Sequence, residues 1–189
     1  MTANTARYET VSDDRELLVL VDENDNEIGT ISKSEAHDAS GVLHRAFSLF
    51  IFNEQGELLL QQRSPEKRLW AGYWANSCCS HPRAGEKMDE AVHRRLEQEL
   101  GMTAELEFVY KFIYHAEFGE QGSEHELCWV YVGCATSEPH VNVSEIAAWR
   151  WVTPAELDAE IAETPERFTP WLKLEWERLK KDFADRLPR

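Results

Sequence analysis

Residues 88–102 read MDEAVHRRLEQELGM, and this stretch decides the fold. Its apolar residues recur with the 3.6-residue period of an amphipathic helix: Ala91, Val92, Leu96 and Leu100. Asp89 lies in the first turn, where an acidic side chain is favourable, and Gly101 supplies the residue that commonly ends a helix. The pattern therefore predicts a helix from Met88 to Leu100 with one buried face.

Taken with the residues before it, this helix has the spacing of the Nudix box: Gly, five residues, Glu, seven residues, then Arg-Glu-apolar-x-Glu-Glu-x-Gly-apolar. The glutamates of that family hold Mg²⁺ on a diphosphate for hydrolysis. Here Ser80 replaces the leading Gly, Arg95 and Gln98 replace two glutamates, and Glu99 alone remains of the carboxylate cluster. One carboxylate and a new arginine suit holding a diphosphate better than activating water to cleave it. The segment resembles a Nudix scaffold without its hydrolytic residues.

The rest of the chain alternates short strands with late helices. The pattern predicts strands at Leu17–Val21, Leu106–Phe118, Glu124–Ala135 and Ala147–Val152, a hairpin of Ala46–Phe52 and Glu57–Arg63, and helices opening at Thr153-Pro154 and Thr169-Pro170. Antiparallel hairpins argue against a doubly wound parallel sheet. We expect an α+β fold: a Nudix-like α/β/α sandwich with a mixed, largely antiparallel sheet, a central Nudix-type helix and C-terminal helices.

Composition restricts the class of protein. A chain of 189 residues with 42% hydrophobic content predicts one Nudix-like domain over residues 1–189, with residues 1–15 as a flexible N-terminal tail. A formal charge of −15 disfavours nucleic acid and anionic membranes as partners. No apolar run approaches the ~18 residues of a membrane span, and no export signal is visible. We therefore expect a cytoplasmic monomer or weak homodimer with four reduced cysteines.

A possible metal site is scattered along the chain. Glu124 and Glu126 stand two apart in a predicted strand and so share a face, where two carboxylates repel each other unless a cation lies between them. His37, His44 and His81 lie in loops or at strand starts, where scaffolds display ligands. Each residue alone fits an ordinary solvated surface. If all five meet, their imidazole and carboxylate set suits Mn²⁺ or Zn²⁺ better than Mg²⁺.

Two further sets could serve an anionic ligand and its chemistry. Lys33, Arg63, Lys67 and Arg95 could form a local anion site against the global negative charge, although each alone fits solvated surface charge. The segment NSCCSHP, residues 76–82, raises a structural zinc site at Cys78, Cys79 and His81. Adjacent cysteines do not easily both occupy tetrahedral positions, and the usual two-residue spacer is missing.

Together these segments resemble type 1 isopentenyl diphosphate isomerase, a Nudix-fold family that interconverts isopentenyl and dimethylallyl diphosphate. The segments that carry the resemblance cover roughly residues 17–180: Lys33–His37, His44–Phe47, Arg63–Lys67, Trp74–Pro82, Arg94–Gly101, Glu124–Glu126 and Thr169–Trp171. Each is weak alone, but seven in the right order and spacing are specific.

The resemblance implies a role for each matching residue. His37, His44, His81, Glu124 and Glu126 correspond to the ligands of a divalent metal, Mn²⁺, Zn²⁺ or Mg²⁺. Cys79 corresponds to the catalytic cysteine, Glu126 to the catalytic acid, Tyr114 to its assistant and Trp171 to the indole facing the substrate. Lys33, Arg63, Lys67 and Arg95 correspond to diphosphate contacts, and Glu99 to a ligand of the Mg²⁺ that accompanies the small-molecule diphosphate substrate.

One departure and two alternatives accompany this interpretation. The family commonly has Gly where this chain has Ser80, and a positive φ at that position would strain a serine. Cys78 we expect to be a packing residue. The chain could instead be a Nudix hydrolase of nucleoside diphosphate derivatives, which Arg95 and Gln98 disfavour. It could also be a non-catalytic metal-binding Nudix-like domain.

Overall fold

The computed structural model describes residues 10–188 and divides them into nine strands and four α-helices, besides short 3-10 turns. The strands are β1 Leu17–Val21, β2 Glu27–Ser32, β3 His44–Phe52, β4 Leu58–Arg63, β5 Trp74–Ala75, β6 Cys78–Ser80, β7 Ala104–Glu117, β8 Ser123–Ala135 and β9 Ile146–Val152. The helices are α1 Lys33–Ala36, α2 Met88–Leu100, α3 Pro154–Glu163 and α4 Pro170–Asp182. The predicted Nudix-type helix is therefore α2, which ends at Gly101 in a left-handed conformation with φ 62°.

The sheet is mixed and largely antiparallel, as predicted. β3 pairs in parallel with β8 along its whole length, from His44 opposite Glu126 to Phe52 opposite Cys134. The other strand pairs in the described part of the chain are antiparallel. This register brings the starts of β3 and β8 to the same edge of the sheet.

Both faces of the sheet are covered, which explains why β3 is an almost continuous apolar run. Phe47, Leu49 and Ile51 point to the α2 side and pack with its apolar stripe. Phe50 and Phe52 point to the opposite side, where they pack with the buried face of α4. The alternation of β3 thus produces the predicted α/β/α sandwich.

The predicted hairpin of β3 and β4 is open. The two strands pair only at Phe52 and Leu58, beyond which β4 pairs with β5 and β9. The free edge of β3 pairs instead with β6, which places Cys79 opposite Ser48. A short strand inserted into the hairpin thus carries the cysteine into the middle of the sheet.

The predicted N-terminal tail has two parts. Residues 1–9 lie outside the described residues. Residues 10–15 lie against the body of the domain: Val11 is buried, its carbonyl accepts a 3.0 Å hydrogen bond from Arg95 Nη1, and Ser12 Oγ contacts Lys33 Nζ. No helix within residues 10–188 combines the length and apolarity needed to cross a membrane.

Candidate active site

A cavity of about 590 Å³ opens at the edge where β3, β6 and β8 meet. Most of the residues that the sequence singled out line this cavity: Lys33, His37, Arg63, Lys67, Cys79, His81, Arg95, Tyr114, Glu124, Glu126 and Trp171. His44 and Glu99 are buried and do not line it. Residues far apart in sequence therefore converge on one site.

Three imidazoles and two carboxylates form a cluster at one end of the cavity. Their ligand atoms all lie within 4.8 Å of one another. Glu124 and Glu126 stand two residues apart in β8, so their side chains lie on the same face of the sheet. His44 lies opposite Glu126 in the parallel register. His37 ends α1, and His81 directly follows β6. This group could hold a divalent metal ion.

Backbone carbonyls orient two of the imidazoles. The Nδ1 of His37 lies 2.6 Å from the carbonyl oxygen of Lys33, and that of His44 lies 2.7 Å from the carbonyl oxygen of Val42. A carbonyl can only accept, so each Nδ1 carries the proton and each Nε2 presents a lone pair to the cluster when the ring is neutral.

The cluster has the donor set and the unsatisfied atom expected of a metal site. His44 Nε2 is buried without a hydrogen-bond partner and lies 3.7 Å from Glu126 Oε1, too far for a hydrogen bond. Leaving a buried polar atom unpaired is costly, so this nitrogen fits the part of a metal ligand. Imidazole nitrogens and carboxylate oxygens suit a first-row divalent ion.

The ionisable groups of the cluster have pKa values that are shifted in different directions. Burial disfavours the charged form of His37, but the Glu124 carboxylate 2.9 Å away outweighs it and raises the pKa of His37 to about 9. Burial, together with the neighbouring His44 and His37, holds the pKa of His81 well below its ordinary value. Burial opposes ionisation of Glu126, yet the neighbouring His44 imidazole and the hydrogen bond from the Tyr114 hydroxyl lower its pKa. Cation binding must therefore displace a proton from His37.

Tyr114 is held against Glu126 by the register of two strands. β7 pairs with β8 so that these two residues are directly opposite, and the Tyr114 hydroxyl donates a 2.6 Å hydrogen bond to Glu126 Oε2. The other oxygen, Oε1, lies 2.9 Å from His81 Nε2. Burial and the Glu126 charge raise the pKa of Tyr114 well above its ordinary value, so its proton stays in place. The Tyr114 hydroxyl therefore fixes the Glu126 carboxylate beside the cavity.

Cys79 faces the same cavity with two polar partners. Its Sγ lies 2.8 Å from Asn76 Oδ1, to which it donates, and the hydroxyl of Ser48 donates to the Cys79 Sγ at 3.7 Å. The Asn76 amide is fixed by its Nδ2, which donates to the carbonyls of Leu49 and Cys78. Burial, then the nearby Glu175, raises the pKa of Cys79. In the ligand-free arrangement Cys79 is a neutral thiol.

Cys78 and Ser80 are explained by the strand that carries them. Alternation along β6 turns Cys78 away from the cavity into the core under α2, where it is fully buried, as expected of a packing residue. The two cysteines therefore cannot both face one zinc ion. Ser80 continues the extended strand and is not among the described residues with positive φ, so its replacement of Gly causes no strain.

Three of the four predicted cations, Lys33, Lys67 and Arg95, lie together in the cavity around a carboxylate that the sequence did not reveal. Glu145 contacts Lys67 Nζ and lies 3.3 Å from Arg95 Nη2. Burial, with Lys67 and Arg95 close by, lowers the pKa of Lys33 to about 8. Arg63 donates to the Leu69 carbonyl through Nε and Nη2 at 3.2 and 2.9 Å. The group forms a basic end in an acidic protein.

Comparisons with known proteins identify the family of this chain. The chain matches the NUDIX domain over residues 42–172. It is 44% identical over 174 residues to isopentenyl-diphosphate Delta-isomerase 1 of Photorhabdus laumondii, covering 91% of this chain and 99% of that relative. It is 47% identical over 156 residues to the isopentenyl-diphosphate Delta-isomerase of Serratia proteamaculans, covering 82% and 87%. The chain belongs to the isopentenyl-diphosphate Delta-isomerase family.

Solved structures place this member of the isopentenyl-diphosphate Delta-isomerase family on the Nudix fold. DR0079 from Deinococcus radiodurans is 27% identical, with a TM-score of 0.72, and the match covers 86% of this chain and 98% of that one. The MutT protein of Methanosarcina mazei is 21% identical, with a TM-score of 0.60 over 74% and 94% of the two chains, and shows the fold alone.

In this isomerase-family chain the Nudix box forms ion pairs in place of a carboxylate cluster. Glu86 accepts two hydrogen bonds from Arg94, at 2.6 and 2.8 Å. Glu99 Oε1 accepts two from Arg95, at 2.9 and 2.5 Å, beneath the cavity. Glu99 and Arg95, matched to Mg²⁺ and to diphosphate, are therefore paired with each other here. The retained carboxylates are neutralised by arginine.

An aromatic wall closes the side of the cavity between the cluster and the basic end. Trp171, the second residue of α4, lies edge-on to Trp70 at 5.2 Å and near Tyr114 at 6.2 Å between ring centroids. The Arg63 guanidinium lies 5.3 Å from the centre of the Trp171 ring. Trp70 was missed by the sequence reasoning; it has a positive φ of 49°, unusual for a bulky residue and a feature that sequence does not show.

Proposed function

We propose that the protein interconverts isopentenyl diphosphate and dimethylallyl diphosphate. The observation that carries this proposal is the position of three groups on one cavity: a carboxyl–tyrosine pair at the imidazole cluster, the thiol of Cys79, and an aromatic wall leading to a basic end. A diphosphate with a short branched hydrocarbon matches this division into charged and apolar halves.

The reaction needs an acid and a base on either side of a dry slot. Moving an unactivated double bond requires a proton to be added to one carbon and another removed from a second carbon, through a tertiary carbocation-like state. Glu126 and Tyr114 supply the acid in our proposal. For this direction Cys79 would first lose its thiol proton and Glu126 would take one up. Cys79 as thiolate then removes the second proton: the C–H electron pair forms the new double bond, and the new S–H donates to Asn76 Oδ1. The roles exchange in the reverse direction.

A divalent ion would be held by His37, His44, His81, Glu124 and Glu126, and Mn²⁺ or Zn²⁺ matches this ligand set better than Mg²⁺. When bound, the ion would supply positive charge that makes the Glu126 carboxyl a stronger acid. The Mg²⁺ expected with the diphosphate would need Glu99, which Arg95 neutralises in the present arrangement. No step of the reaction is assigned to that Mg²⁺.

The two ends of the cavity would bind the two halves of the substrate. The diphosphate would be contacted by Lys33, Arg63, Lys67 and Arg95, and these contacts would position the hydrocarbon against Cys79. The face of Trp171 would stabilise the passing cation by about 2 kcal/mol in a desolvated site. Exclusion of water by Trp171 and Leu69 would prevent capture of that cation.

Proton NMR in D₂O tests the function directly. Purified protein, loaded with Mn²⁺ and supplied with Mg²⁺, is incubated with isopentenyl diphosphate. Formation of the dimethylallyl isomer with deuterium incorporation is the expected result. Phosphate release from nucleoside diphosphate derivatives without isomerisation would establish a hydrolase instead. Absence of both activities in protein with bound metal would favour a non-catalytic metal-binding domain.

A further inference from the structure

The cations at the basic end of the cavity already contact oxygen atoms of the chain itself. Lys33 Nζ contacts Ser12 Oγ, and Lys67 Nζ contacts Glu145 Oε2. Both lysines line the cavity, where we expect the diphosphate to bind. An anion that binds to these ammonium groups must therefore replace the internal oxygens or share the donors with them.

The guanidinium of Arg95 is occupied in the same way. Its Nε and Nη2 donate to Glu99 Oε1 at 2.9 and 2.5 Å. Its Nη1 donates to the Val11 carbonyl at 3.0 Å, and its Nη2 also donates to Glu145 Oε2 at 3.3 Å. The two terminal nitrogens of a guanidinium form a fork that suits two oxygens of a phosphate. In this structure the fork holds a carbonyl oxygen and a carboxylate oxygen instead.

Glu145 differs from the other internal oxygens because it brings a negative charge into the cavity. The hydroxyl and the carbonyl described above are neutral, and Glu99 does not line the cavity. The side chain of Glu145 does line it, although only 3% of that side chain is exposed. Burial disfavours the charged form of Glu145, but Lys67 and Arg95 outweigh the burial and lower its pKa. The carboxyl is therefore an anion near neutral pH.

The backbone of Glu145 is fixed, so it cannot carry this charge away from the site. Its amide donates to the Asn142 carbonyl at 3.0 Å, and its carbonyl accepts from the Ser64 amide at 2.9 Å. Asn142 is in turn joined to the end of α2, because its amide donates to the Glu99 carbonyl at 2.8 Å. Rotation of the Glu145 side chain can release the two cations, but the carboxylate stays close to any anion that binds there.

We propose that Glu145 competes with the substrate diphosphate for Lys67 and Arg95, and that this competition sets the affinity of the site for anions. The proposal rests on the function proposed above. In the ligand-free protein the carboxylate pairs with both cations, and a buried charge needs such a partner. A diphosphate has more oxygens and more charge than one carboxylate, so it can take over these donors. A singly charged anion gains too little to displace Glu145.

A competing role and a supporting role predict changes of opposite sign in diphosphate affinity. If Glu145 competes, removing its charge should strengthen diphosphate binding. If Glu145 only supports the two cations, or if it holds the Mg²⁺ that accompanies the diphosphate, the same change should weaken binding. Damage to the fold would also weaken binding, so damage cannot produce a gain in affinity.

Three variants test the competition. Glu145→Gln keeps the shape of the side chain and removes its charge, whereas Glu145→Asp keeps the charge and withdraws it by one methylene group. Glu163→Gln is the matched control, because it removes one negative charge from an exposed position at the end of α3 that does not line the cavity. Each protein, loaded with Mn²⁺ and supplied with Mg²⁺, is titrated with inorganic diphosphate by isothermal calorimetry. In parallel, kcat and KM are measured with isopentenyl diphosphate.

We expect Glu145→Gln to bind inorganic diphosphate about tenfold more tightly than the wild type and to lower KM by a similar factor. Glu145→Asp should change both quantities in the same direction by a smaller factor, and it provides the test if the glutamine variant does not fold. Glu163→Gln should match the wild type in both measurements. Weaker or unchanged diphosphate binding in the folded Glu145 variants refutes the competition.

The two proposals fail in different ways. If the wild-type protein does not isomerise its substrate but Glu145→Gln binds inorganic diphosphate more tightly, the function is wrong while the competition stands. If the wild type isomerises its substrate and Glu145→Gln gains no affinity for inorganic diphosphate, the function stands and the competition is refuted.

Discussion

Replacing Gly122 by alanine tests how His37 is held in the metal-ligand cluster. Gly122 precedes β8 and has φ 136°, and a Cβ added there would lie 2.2 Å from the carbonyl oxygen of His37. Real Cβ contacts stay beyond 3.0 Å, so a shift of nearly 1 Å is needed. The obstructing atom is a backbone oxygen, so it cannot swing away as the end of a side chain could. It also accepts a 3.1 Å hydrogen bond from the Ser123 amide.

The displacement should reach the cluster because His37 has little freedom of its own. Its ring is tied to the Lys33 carbonyl at 2.6 Å, so moving its backbone moves Nε2 relative to Glu124. Loss of such supporting contacts costs about 10–100-fold in metal affinity, or about 1.4–2.8 kcal/mol. The backbone of Gly122, with φ 136° and ψ −165°, lies in a region essentially restricted to glycine, which adds about 1–3 kcal/mol of strain to the folded state of the alanine variant.

The control variant is Gly119→Ala in the same loop. Gly119 has φ 57°, so alanine there also strains the backbone, but no heavy atom lies within 4 Å of the added Cβ. Titration of each metal-free protein with Mn²⁺ by isothermal calorimetry gives the affinity, and urea unfolding gives the stability. Only Gly122→Ala should lose metal affinity. If both variants bind Mn²⁺ equally, the backbone of His37 does not set the geometry of the cluster.

Further predictions concern the thiols, the buried Glu175 and the metal-ligand cluster. Cys79→Ala should abolish isomerisation in the NMR assay. Cys78→Ala should keep the activity but lose about 1–2 kcal/mol of stability, because it leaves a cavity in the core. Equal loss of activity in the two variants would contradict the assignment of Cys79 as the reacting thiol. Because burial raises the pKa of Glu175 from 4.5 to about 8, the native state keeps a proton that the unfolded chain loses. The free energy of unfolding should therefore fall by on the order of 4 kcal/mol as the pH rises from about 5 through 8. Urea unfolding should show this slope in the wild type and a flatter one in Glu175→Gln; identical slopes would refute the shift. Mn²⁺ at 100 times its Kd should stabilise the wild type by about 2.7 kcal/mol but not His44→Leu, and equal melting shifts in the two would place the ion elsewhere.

The sequence predicted the elements well where periodicity is long and unambiguous. The bounds of α2 and β1 agree with the prediction, and β7 and β8 differ from it by one or two residues. The five residues that the resemblance matched to metal ligands do lie together. For Glu124 and Glu126 the sequence itself gives the reason, because residues two apart in a strand share a face.

Other features depended on tertiary packing that no local pattern encodes. β6 is three residues long, too short for a periodic signal, so its insertion beside β3 and the opening of the hairpin were not foreseen. Glu145 and Glu175 are buried by the fold, and no pattern around them in the sequence marks them as buried acids. Ser48 did carry a signal, as the one polar residue within the apolar run Ala46–Phe52.

The three residues of β6 cannot fix their own register, and a slip of one position would exchange Cys78 for Cys79. Two buried side chains just before the strand prevent that. Asn76 Nδ2 donates to the Leu49 carbonyl, while Ser77 Oγ donates to the Leu59 carbonyl and accepts from the Ile51 amide, both at 2.8 Å. An inserted or deleted residue here would bring Cys78 in place of Cys79 to the cavity and would displace Asn76 or His81. The spacing of this segment is therefore as much a requirement of the proposed catalytic site as the sulfur atom it delivers.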